Sequence, residues 1–173
     1  MLPVQVPLNN LLCDVSEVAI PMDEVDPEEV AIPRHWDMRF VRNFMLVLGP
    51  VSSLFDFLTF GLLLIVFNAA GPLFQTGWFV ESLASQIFVI FVIRTRRNPL
   101  RSQPHPILAA TSIAVAAVGV LLPYTALGRW FGFVPLPLGF LVALGGMVAC
   151  YLILADLVKR WFFRRISLSG DHR

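Results

Sequence analysis

The chain has 173 residues, of which 57% are hydrophobic and 14% charged, against about 25% charged in a soluble domain. Thirteen basic and 12 acidic residues leave a net charge of +1, too weak a field to draw a polyanion. A soluble enzyme, a coiled coil, a disordered tail and a nucleic-acid binder are therefore disfavoured, and the expected class is an all-α, polytopic membrane helix bundle.

A helix needs about 20 mainly apolar residues to cross a bilayer. Five segments are expected to do so: roughly 1–20, 51–72, 76–94, 107–127 and 136–158. The fourth carries no charge, and the fifth carries only Asp156 near its end. Asp56 is the one charge in the second, and Glu81 lies inside the third. The first is unusual, because it holds Asn9, Asn10, Asp14 and Glu17. It lacks the basic start and apolar centre of a signal peptide. A cut or truncated start is the expectation there.

The segment 21–50 is acidic and then basic, with Pro21, Pro27 and Pro33 stopping any long helix. Residues 36–48 suit a short interfacial helix. Gly49-Pro50 should bend the chain before the second span, where Ser53-x-x-Asp56 resembles a capping box. The stretch 95–106 and the tail 159–173 are basic. Every Lys and Arg except Arg129 falls in or beside these three stretches. The positive-inside rule then places them in the cytoplasm, with residue 1 outside and the C-terminus inside. Trp78, Trp130 and Trp161 are expected near span ends. His35, His105 and His172 are expected to be solvated. Cys13 and Cys150 form no CxxC, so neither a disulfide scaffold nor a zinc site is expected.

Ionisable and amide groups inside membrane helices are costly, and so they are candidates for function. Asn10 and Asp14 are four residues apart and share a helix face. An amide oxygen and a carboxylate suit a hard cation such as Mg²⁺ or Ca²⁺, with Asn9 as a weaker candidate. The alternative is a polar contact between helices. Pro3 and Pro7 precede them and could free a carbonyl in an unwound segment. Glu81 has Ser85 on its face. Its alternative role is to complement the helix dipole in the first turn of its span. Asp56 is explained by the cap, Asp156 by ion pairs with Lys159 and Arg160, and Glu17 by a solvated end or a cation exit. Gly145-Gly146 would allow close helix packing. No GxxxxGK(S/T), GxSxG or HExxH motif is present. The chain therefore has no ATP site and is not expected to hydrolyse ATP by itself.

NNLLCDVSEVAIPMD (9–23) resembles the sixth transmembrane helix of P-type cation-transporting ATPases, most closely the bacterial magnesium-transporting type. PRHWD (33–37), FMLVLGPVSSLFDFLTF (44–60), LFQTGWFVESLASQ (73–86), RTRRNPL (94–100) and KRWFFRR (159–165) extend the resemblance over nearly the whole chain. The resemblance implies helices six to ten of such a pump, in a multi-pass protein of the cell (inner) membrane. It implies Asn10, Asp14 and Glu81 as cation ligands, with Mg²⁺ as the transported ion. The family's DKTGT phosphorylation motif, its nucleotide-binding domain and its first five helices are not in this sequence. Cys13 and Asn9 also depart from the aromatic and Gln usual at those positions. The implied partners are the lipid bilayer and the N-terminal part of such an ATPase.

Three functions compete at this point. The first is the C-terminal membrane module of an ATP-driven pump, contributing half of a cation site. The second is a non-catalytic remnant or small membrane subunit packed on another transporter. The third, a self-assembled channel, has no sequence feature that builds a symmetric pore.

Overall fold

The computed structural model describes residues 1–23, 38–69, 71–93 and 104–169. The acidic run from 24, Arg34, His35, the basic turn 94–101 and His172 lie outside the described residues.

Helix α1 covers Gln5–Glu17, and a 3₁₀ turn follows at Ile20–Met22. Helix α2 covers Met38–Gly61 and closes in a π-helical turn, Leu62–Val66. Helix α3 is Pro72–Ile93, and α4 is Pro106–Leu121. A short α5, Ala126–Trp130, leads to α6, Leu138–Ser169. The described residues are thus helices and their connections, as the composition predicts.

Four helical stretches are long and apolar enough to cross a membrane: Arg42–Val66, Pro72–Ile93, Pro106–Tyr124 and Leu138–Phe163. Each overlaps one of the last four expected spans, though the first of them runs Arg42–Val66 where 51–72 is expected. The first segment differs. At about 1.5 Å per residue, the 13 residues of α1 rise roughly 20 Å, less than the ~30 Å hydrocarbon core. The charged end at Glu17 and the proline at position 3 bound it.

Helix α3 is the centre of the bundle and packs on α1, α2, α4 and α6. Phe79, Val80, Leu83 and Ile87 are buried there against Leu63, Val115, Phe140 and Leu144. Large apolar side chains such as Phe57, Ile65, Ile113 and Val142 point outward, as lipid-facing residues do. Close approach comes at Gly77, where an added Cβ would lie 2.8 Å from Leu63 and 3.0 Å from Phe140. Gly145 and Gly146, expected at a packing surface, face open space instead.

At Gly49-Pro50 the chain does not leave the helix before the span. Helix α2 runs through Pro50. A missing N–H there removes one rung of the ladder, and membrane helices tolerate such a proline. Ser53 and Asp56 consequently stand in mid-helix, so the capping-box reading fails. Trp78 is likewise no span-end residue. It lies inside α3 and meets Phe60 edge-on at 5.0 Å. Trp130 is highly exposed beyond a span end, and Trp161 is exposed near the end of α6.

The C-terminal part of α6 carries the expected ion pairs. Asp156 bonds Lys159 at 3.0 Å and Arg160 at 2.6 Å. Lys159 is buried, and its Nζ also donates to the Val92 carbonyl at 2.8 Å. This ties α6 to the last turn of α3. His105 is not simply solvated. Its Nδ1 accepts from the Ile107 N–H at the start of α4, and its own N–H donates to Asp23 at 2.8 Å.

Candidate intramembrane cation site

In α1, Gln5, Asn9, Cys13 and Ser16 are the buried residues. Their spacing of four, four and three is that of one helical face. This face is polar, and α1 packs on α3 and α4. Gln5 Nε2 donates to the Phe131 carbonyl at 3.1 Å. The Cys13 thiol donates to Gln86 Oε1 at 2.9 Å, so Cys13 is more than a small hydrophobe. Asn9 is buried with its Oδ1 lacking a hydrogen-bond partner.

Asn10 and Asp14 follow one residue later and form the neighbouring row. Both are exposed, as are Val6, Leu11 and Val15 around them. The helix is regular from Gln5 onward, so the expected unwinding by the prolines is absent. Pro7 falls in the first turn, where N–H groups have no intrahelical acceptor anyway.

Glu81 has different surroundings. Helix α3 begins at Pro72, not at 76. Glu81 therefore lies beyond the first turn, and the helix-dipole reading fails. It is only 3% exposed, and its Oε2 has no hydrogen-bond partner. It lines a cavity of about 270 Å³ between α2, α3 and α6. Asp56 and Ser52 line it from α2, Ser85 and Gln86 from α3, and Tyr151 from α6. Ser52 Oγ and Tyr151 Oη are 2.7 Å apart. Gln86 Nε2 donates to Ser82 Oγ at 2.9 Å, which fixes the amide with its oxygen toward Cys13.

The structure thus brings Asn10 and Asp14 together on one face and places Asn9 beside them. Glu81 belongs to a separate cavity, joined to α1 through the Cys13–Gln86 bond. Among the described residues no group of three His, Cys, Asp or Glu side chains could hold a metal ion. Sequence reasoning missed Ser52 and Tyr151, which line the cavity beside the two carboxylates. Tyr151 looks like one more apolar residue in a hydrophobic span.

Residues 1–161 match the family described as Cation transporting ATPase, C-terminus. Similar curated proteins bear the name "Magnesium-transporting ATPase, P-type 1". One from Escherichia coli (strain K12) is 42% identical over 170 residues, covering 95% of this chain and 19% of that protein. One from Salmonella typhimurium (strain LT2) has the same identity and coverage. Another from the same strain is 37% identical over 173 residues, covering 96% of this chain and 19% of its own length. The chain therefore spans about a fifth of the length of the relatives it matches.

Proposed function

Because the chain belongs to the family of cation-transporting ATPase C-terminal regions, we propose that it is the C-terminal membrane module of an ATP-driven Mg²⁺ transporter in the inner membrane. Asn10 and Asp14 supply half of the intramembrane cation site, Asn9 supports them from the buried face, and Glu81 faces the cation path. The observation that carries this reading is the exposed Asn10–Asp14 row on a helix whose adjacent polar face is already packed.

A carboxylate and an amide facing hydrocarbon are costly. The row thus calls for further helices that cover it and complete the ligand shell. In this reading those helices come from the N-terminal part of the pump, along with the phosphorylated aspartate and the nucleotide site. Oxygen ligands of this kind suit Mg²⁺, which takes one or two carboxylates and keeps several waters. Phosphorylation elsewhere would move the helices between inward-facing and outward-facing states, and the row would hold the ion at mid-membrane.

The basic stretches, by the positive-inside rule, put the C-terminus in the cytoplasm and run α1 inward. Glu17, exposed one turn beyond Asp14, then stands on the cytoplasmic side of the site.

The test is Asp14→Asn in the intact pump. It is expected to abolish Mg²⁺-dependent turnover of the phosphoenzyme while leaving the protein in the membrane. Normal transport by that variant would refute the assignment.

A further inference from the structure

We propose that the trough between α4 and α6, floored by α3, binds one phospholipid of net negative charge, its acyl chain in the trough and its phosphate on Arg160. Around the central helix, α1 packs on α4 and α2 packs on α6, whereas α4 and α6 make no substantial contact among the described residues. One side of α3 is therefore left open. Val80, Ala84 and Phe88, spaced four apart, form the floor there. The trough holds a cavity of about 630 Å³ toward the C-terminal part of α6, and two more of about 470 and 400 Å³ that share Phe88 with it. The first is of the size that holds small ligands, roughly 300–1,000 Å³.

The trough is polar at one end. The largest cavity is walled by apolar side chains such as Ile113 and Leu152 until Asp156 and Arg160 close it. The residues that line the other two are all apolar. A phospholipid has the same polarity, one charged head on a long apolar chain. A partner helix approaches closely only over small residues, and Phe88 and Phe91 stand in this trough.

Charge selects the head. Lys159 and Arg160 share the single carboxylate of Asp156, so the cluster keeps one positive charge. Lys159 is buried and also held by the Val92 carbonyl. Arg160 lines the cavity and is 40% exposed. One of its Nη atoms bonds Asp156, and its Nε has no hydrogen-bond partner in the protein. A guanidinium carries five N–H donors in a fork that matches phosphate. Depth agrees with this assignment. Trp161, half exposed beside Arg160, stands near the end of the span Leu138–Phe163, where aromatic residues meet the headgroups. Arg160 and Gly145 are 15 positions apart on α6, roughly 22 Å of helix. One leaflet contributes about half of the ~30 Å hydrocarbon core, so the trough is long enough for an acyl chain that starts at Arg160. A lipid held there bridges α4, α3 and α6 and should stabilise the bundle by mass action.

The inference takes nothing from the cation reading of α1. Its test uses the full 173-residue chain in lipid nanodiscs, with spin-labelled phosphatidylglycerol and phosphatidylethanolamine as probes and the immobilised fraction read by electron paramagnetic resonance. One phosphatidylglycerol per chain is expected to be held about fivefold more tightly than phosphatidylethanolamine, the effect of one basic residue on an anionic headgroup. Arg160→Gln should remove that preference, Arg160→Lys should keep most of it, and Arg129→Gln should leave it unchanged. Ala109→Phe, which fills the largest cavity, should release both lipids. Circular dichroism reports the helices of each variant, and if Arg160→Gln loses them the Ala109→Phe arm decides. Equal binding of the two headgroups, a preference that survives Arg160→Gln, or immobilisation that survives Ala109→Phe overturns the inference and leaves ordinary annular lipid. A membrane polypeptide released from the natively purified chain by Ala109→Phe would overturn it too.

Discussion

The Cys13 thiol donates a 2.9 Å hydrogen bond to Oε1 of Gln86. This bond joins the short helix α1 to the central helix α3, between the Asn10–Asp14 row and the Asp56–Glu81 cavity. It ties α1 to α3 at a residue that lines the cavity. Cys13→Ser keeps a donor at this position, whereas Cys13→Ala leaves the Gln86 oxygen without one. The alanine variant should lose about 1 kcal/mol of stability and the serine variant less. Thermal unfolding of the two variants in the same detergent checks the order, and equal losses would show that the bond contributes nothing.

Lys159 and Arg160 both pair with Asp156, but they should not be equivalent. Lys159 is buried and also holds the Val92 carbonyl, whereas Arg160 is 40% exposed. Lys159→Met should cost about 2 kcal/mol, since it removes hydrogen bonds made by a charged group. Arg160→Ala should cost less than about 1 kcal/mol. Denaturation in mixed micelles measures both, and the reverse order would contradict the tie between α6 and α3.

Glycines on two helices make a contrasting pair. Gly77→Val would press into Leu63 and Phe140, and overpacking of this kind costs about 1–3 kcal/mol. Gly145→Ala meets nothing within 4 Å and exchanges a flexible residue for a helix former, a gain of roughly 0.5–1 kcal/mol. Unfolding midpoints of the two variants should therefore move in opposite directions.

The fold was largely legible because charge is so expensive in hydrocarbon. Arg42, Arg94, Arg129 and Lys159 bound three long stretches poor in charge; the first holds two of the long apolar helices, the second holds one, and the fourth helix fills the last stretch and runs a few residues past Lys159. The Asn10–Asp14 pairing was legible because a spacing of four puts two side chains on one face of any α-helix, whatever packs around it. What was not legible depends on neighbours. Nothing in the run GPVSSLFD says that α2 continues through Pro50, because the bundle, not the local sequence, holds the helix together there. The true start of α3 moved Glu81 from a first turn to mid-helix and changed its meaning. Asp56, Glu81 and Tyr151 come from three helices, and no periodicity within a single helix can reveal that they share a cavity. The Gly145-Gly146 pair shows the reverse error, a motif that fits close packing but faces open space in the structure.

The exposed row on α1 is the central claim, and genetic complementation tests it most directly. The chain is expressed in a magnesium-uptake mutant, alone and with the N-terminal portion of a related P-type magnesium transporter, and growth is scored in low Mg²⁺. The account predicts growth only on coexpression, and its loss with Asp14→Asn while membrane levels of the protein hold. Equal growth with Asp14→Asn, or rescue by the chain without its partner, would contradict it.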